Sequence, residues 1–139
     1  MATVEVTFTP LPAHVRTARL VATAVARRSG VDESMLDEVR LAVGEACLRA
    51  VEAHRRHCPA EPVRIEMSNR GERFEVVVED AVPSAPASVT SVNGSLDTSA
   101  IPAGFGLAVI SGLADDVLIS ASDAGVRVTM TWPMTVKTE

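Results

Sequence analysis

Glu38, Glu45 and Glu52 recur at helical spacing, and Arg49 and Arg56 each follow a glutamate by four residues. On a solvated helix such i, i+4 pairs form ion pairs worth about 0.3 kcal/mol each. Arg49 has two further uses: it can hold phosphate as a fixed positive charge, or it can pair with Glu45 and neutralise it. The second of these is the favoured reading. Glu79 and Asp80 close the apolar run Phe74–Val78, the ordinary polar end of an edge strand. Gly104-Phe105-Gly106-Leu107 precedes an apolar run of helical spacing. Glycines there either serve the backbone turn alone or let N–H groups and the positive helix end face an anion. Arg16, Arg19, Thr23 and Arg27 form one basic helical face. His54, His57 and Cys58 fall about one helical turn apart, but three ligands fall short of a closed zinc site. No metal site is expected, and no Ser/His or Cys/His nucleophile pair is specified by spacing.

The elements that must position these residues follow from periodicity. Val4, Val6 and Phe8 alternate with polar residues, so a half-buried strand is predicted to end by Pro10. Val15, Ala18, Ala22 and Val25 predict a helix over 12–29, stopped by Gly30. Asp32 is placed to cap a second helix with Glu33 in its first turn. Its apolar stripe is Leu36, Val39, Val43, Ala46 and Ala50, and Pro59 sets its latest end. Val63–Met67 and Phe74–Val78 flank Asn69-Arg70-Gly71 and read as a hairpin; Val117–Ser120 and Val126–Trp132 flank Asp123-Ala124-Gly125 and read as another. Between them 81–103, with Asp97 as its only charge, reads as a long loop. A short helix is expected over Gly106–Leu113. This order predicts an α+β two-layer sandwich, with helices on one face of a largely antiparallel sheet.

The helical run Leu36–His54 followed by the glycine turn at Ala103–Asp115 resembles the nucleotide-binding core of the GHKL (Bergerat) ATPase fold. More narrowly it resembles the RsbW/SpoIIAB-type anti-sigma factors, over nearly the whole chain. Their kinase helix carries a motif of the form E-A-x-x-N-A, often ending in His; here it reads Glu45-Ala46-Cys47-Leu48-Arg49-Ala50, with His54 at its end. The resemblance makes Glu45 the catalytic base of phosphoryl transfer. It puts Arg49 where an Asn would bind Mg²⁺, and a guanidinium has donors only. It makes Asp80 the acceptor for the adenine amino group. The following D-x-G-x-G glycines are replaced here by Val82 and Ser84, with Pro83 between them. Gly104, Phe105, Gly106 and Leu107 match the family's intact glycine box, and 81–103 takes the place of its ATP lid. Arg19 falls on an arginine that contacts both sigma factor and antagonist, and Arg16 joins it as an expected partner-binding residue.

The functional expectation is therefore an anti-sigma factor that sequesters a sigma factor and is countered by a STAS-type anti-anti-sigma protein. A homodimer is expected, with ATP and Mg²⁺ binding weakened and kinase activity reduced or lost. The alternatives are an active serine-protein kinase, or a nucleotide-sensing domain unrelated to sigma factors. A net charge of -5 argues against a nucleic-acid binder. No apolar run is long enough to span a bilayer, and Met1-Ala-Thr-Val-Glu-Val lacks the marks of a signal peptide, so a single cytoplasmic domain over 1–139 is expected. With Trp132, three Phe and no Tyr, the core must be built from Val, Ala, Leu and Ile.

Overall fold

A computed structural model describes residues 3–84, 86–92, 95–96 and 113–135. The predicted helix at Gly106–Leu113 and the box Gly104, Phe105, Gly106 and Leu107 lie outside these residues, Leu113 excepted. The chain runs β1 (Thr3–Phe8), α1 (Pro12–Ser29), a 3-10 turn (Glu33–Met35), α2 (Leu36–His57), β2 (Val63–Arg70) and β3 (Arg73–Glu79). It continues through β4 (Ala87–Val92), β5 (Ser95–Leu96), β6 (Asp116–Ser122) and β7 (Gly125–Pro133). Among the described residues the strands form one antiparallel sheet in the order β1-β2-β3-β7-β6-β4-β5. The predicted α+β class holds.

Both helices start and stop for local reasons. Pro12 opens α1, where its missing N–H costs nothing. Gly30 closes it in the left-handed region at φ 105°, and its N–H reaches the carbonyls of Ala26 and Arg27. Asp32 accepts from the Ser34 N–H, as a cap should, although what it caps is the 3-10 turn that leads into α2. In α1 the buried face is Val15, Ala18, Ala22 and Ala26, and short side chains let it sit close against α2. On β3, Phe74, Val76 and Val78 face the helices, while Glu75, Val77 and Glu79 face away. Ion pairs cover that outer face: Arg64 reaches Glu5, Glu66 and Glu79 at 2.8, 3.2 and 3.2 Å.

Two expectations need correction. The stretch 81–103, read as a lid-like loop, contains β4, which pairs with β6 from Ala87↔Ala121 to Val92↔Asp116, and the short β5. Its Val89, Thr90 and Val92 are β-branched, and β6 offered them an open row of backbone groups. The core also uses little leucine. Val and Ala dominate, Leu36 is the one buried leucine among the described residues, and Leu11, Leu20, Leu41 and Leu118 are exposed.

Candidate functional site

Asp80 follows the last residue of β3 on the helix-facing side, where the alternation would otherwise place another apolar core residue. Its carboxylate is fully buried, so each oxygen must find a partner. Oδ1 accepts from the N–H groups of Val82 at 2.9 Å and Val126 at 3.3 Å. Oδ2 accepts from Nη1 of Arg49 in a close ion pair. Arg49 reaches it from the middle of α2, with only 16% of its side chain exposed. The expected pairing of Arg49 with Glu45 is therefore overturned. Glu45 is half-buried one turn earlier on the same helix, and the guanidinium goes to the deeper carboxylate. A desolvated charge gains far more from a counter-charge than one still in contact with water. No Glu52–Arg56 pair forms among the described residues either; the ion pair on α2's surface is Asp37–Arg40, at 2.9 Å.

The segment after Asp80 spends its donors internally. The Ala81 N–H donates to His54 Nε2 at 2.9 Å, Val82 to Asp80, and Ser84 to the Ser122 carbonyl at 2.9 Å. Pro83 has no N–H to offer. His54 is fully buried, and its Nδ1 lies 2.9 Å from the Glu61 carbonyl. Since Nε2 accepts and a carbonyl cannot donate, Nδ1 carries the proton and the imidazole is neutral. His54 thus clamps two loops, with neither nitrogen left for a metal. Among the described residues no three His, Cys, Asp or Glu side chains gather as ligands.

Gly125, missed as a site residue, completes the arrangement. Its φ is +132°, and an added Cβ would stand 1.9 Å from the Asp80 carbonyl oxygen. Asp80 and Val126 exchange a further bond, Asp80 N–H to Val126 carbonyl at 3.0 Å. In the sequence Gly125 carried only a turn signal.

Arg49 also borders a cleft of about 190 Å³, together with Ala53, Val82, Ser84 and Val126. This is below the roughly 300 Å³ at which small-molecule pockets usually begin. A larger cleft of about 540 Å³ lies between β1 and the start of α1, away from these charges. Its one imidazole, His14, is held to the Thr9 carbonyl at 3.0 Å.

The basic face of α1 divides. Arg16 is exposed, Arg27 pairs with Glu33 at 3.3 Å, and Thr23 donates to the Arg19 carbonyl at 2.7 Å. Arg19 turns inward and crosses α2 over Gly44, where an added Cβ would lie 2.1 Å from Nε. That Nε is buried without a hydrogen-bond partner among the described residues. Next to it the Cys47 thiol is pushed up to about 12 by burial, with the Arg19 charge pulling weakly the other way.

Residues 8–132 match the histidine kinase-like ATPase domain family. The chain belongs to that family. Among solved structures this ATPase-family domain resembles the RsbU and RsbW domains of Rv1364c from Mycobacterium tuberculosis, with a TM-score of 0.72 at 17% identity. That likeness is one of fold; it covers 100% of this chain and 34% of the other, so this chain spans about a third of that structure's length. No curated protein sequence matches it. No helix among the described residues is long and apolar enough to cross a membrane.

Proposed function

We propose that this histidine kinase-like ATPase domain is an anti-sigma regulator that works by binding partners, with its nucleotide site closed from within. The observation that carries the reading is the Arg49–Asp80 ion pair. In the resemblance to RsbW-type proteins these two positions belong to the magnesium ligand and the adenine acceptor. Here one neutralises the other, and the Ala81, Val82 and Ser84 N–H groups are already bonded. Phosphoryl transfer depends on positioned phosphates and metal charge, so Glu45, the proposed base, has little to act on. ATP and Mg²⁺ bind weakly or not at all in this reading, and the residues 104–107 retain their proposed place near phosphate.

The partners proposed are a sigma factor and a STAS-type anti-anti-sigma protein, met as a cytoplasmic homodimer through the face that carries Arg16 and Arg19. Leu20, 59% exposed beside them, supports a contact surface there. The test is a calorimetric titration with ATP and ADP, with and without Mg²⁺, beside co-purification from lysate. No heat at millimolar nucleotide, with a sigma factor or STAS protein recovered, is the expected result. Magnesium-dependent binding and transfer of phosphate to an antagonist serine, lost in Glu45→Ala, would put the active kinase in its place. Recovery of neither partner would leave a nucleotide-sensing domain unrelated to sigma factors.

A further inference from the structure

We propose that the open edge of β1, with the cleft beside it, is a strand-addition site for an extended segment of another protein, one that alternates apolar and basic side chains. The inference goes beyond the anti-sigma reading and stands apart from it. The cleft shares no residue with the Arg49–Asp80 pair, nor with Arg16, Arg19 and Leu20.

β1 ends the sheet and pairs with β2 alone among the described residues. Its register runs unbroken from Thr3↔Ser68 to Phe8↔Val63, so no bulge twists the edge away. Native edges are commonly guarded by a lysine, a proline or an inward-pointing charge. Thr3–Phe8 contains neither lysine nor proline. Its one charge, Glu5, lies on the outer face, 2.8 Å from Arg64, while Val4, Val6 and Phe8 pack toward the core. Alternate N–H and C=O groups of β1 therefore face away from β2, and among the described residues no strand meets them.

The two faces of the edge define the guest. On the helix side the cleft of about 540 Å³ is walled by Val6, Phe8, Ala18 and Pro62, with His14 and exposed Thr17 beside them. Val6 and Phe8 are only half-buried, so an apolar side chain entering from an added strand removes more of their surface from water. Every second side chain of such a strand falls on this side, and the others fall on the outer face beside Glu5. There Glu5, Glu66 and Glu79 share Arg64, at 2.8, 3.2 and 3.2 Å, and Arg127 lies 4.0 Å from Glu79. Three carboxylates against two guanidiniums leave an excess of acid, with Glu5 on the edge strand. A lysine or arginine of the guest opposite Glu5 completes the row as a cross-strand pair. A second copy of this chain fits worse, because its own β1 brings another glutamate to that rim. The net charge of -5 acts in the same direction.

The probe is a capped peptide of about six residues, the length of an ordinary strand, alternating lysine and valine and titrated into the isotope-labelled full chain. The controls are the same residues in block order and an alternation of glutamate and valine. Amide shifts should be confined to Thr3–Phe8 and the α1 residues of the cleft, and the block peptide should produce none. Glu5→Lys should weaken the lysine peptide about fivefold and favour the glutamate peptide. Thr17→Trp, at an exposed position, should fill the cleft and abolish binding of both. Circular dichroism establishes that the variants are folded, and Glu5→Lys decides alone if Thr17→Trp is not. No shifts at millimolar peptide, equal binding of the block peptide, or a peptide ranking unchanged by Glu5→Lys overturns the proposal. So does light scattering that finds a wild-type dimer dissolved by Val6→Lys, since a second copy then holds the edge. Nucleotide titration and sigma-factor recovery read other residues and are scored separately.

Discussion

Gly125 and Asp80 touch through their backbones, and that contact sets the depth at which the carboxylate sits. A side chain at position 125 meets two obstacles: a φ of +132°, and the Asp80 carbonyl oxygen 1.9 Å from where Cβ would be. The second cannot be relieved by a rotamer, because the obstacle is main chain. Gly125→Ala should therefore cost about 3 kcal/mol, the sum of local backbone strain and displacement of a buried strand end. Urea unfolding measures it. A loss below about 0.5 kcal/mol, the size of an ordinary surface change, would mean that the end of β3 moves aside freely. The buried pair needs a different argument. Arg49 and Asp80 together add little net stability, whereas removing one partner strands the other at a cost of about 3–5 kcal/mol. Such a pair constrains what else can enter the cleft more than it supports the fold.

The contact between α1 and α2 is the element through which a partner surface could be tuned. Alanines at 18, 22 and 26 bring the helices together, and Gly44 leaves the space that Arg19 fills. Gly44→Ala gains up to about 1 kcal/mol of helix propensity. It also forces the arginine out, which is inexpensive because the obstacle is a flexible side chain rather than backbone. The net stability should stay within about 1 kcal/mol of wild type, while recovery of the sigma factor or antagonist falls. Unchanged recovery with Arg19 displaced would remove that residue from the proposed partner surface. The Nε of Arg19, without a hydrogen-bond partner among the described residues, fits this division of labour, since a buried polar atom left so is tolerated only when something else is gained.

Among the described residues the buried apolar side chains gather in one core. The helices and the inner face of the sheet enclose Trp132, Phe74, Ile65 and Met130, all fully buried. Trp132 is tied to the segment just before β6 by its indole N–H, which donates to the Leu113 carbonyl at 2.9 Å. Because the chain has a single tryptophan, its emission reports that core and nothing else. We expect tryptophan fluorescence and far-ultraviolet circular dichroism to give superimposable urea transitions, the mark of one cooperative unit. Separate midpoints would divide 1–139 into independently melting parts and refute the single-domain expectation.

The helices and both hairpins were legible in the chain itself because their causes are local. Pro12, Gly30 and Asp32 act within one turn, and alternation in β2, β3, β6 and β7 needs no knowledge of distant partners. β4 was not legible, since Ala-Ser-Val-Thr-Ser-Val is too polar and short to announce a strand until β6 supplies its edge. The same limit governed the site. Local spacing offered Arg49 a carboxylate four residues away on its own helix, but the tertiary structure gave it Asp80, 31 residues on. Spacing along a helix reports proximity only. Which of two nearby carboxylates takes the cation depends on which has lost its water, and burial is decided when the whole sheet closes over the helices.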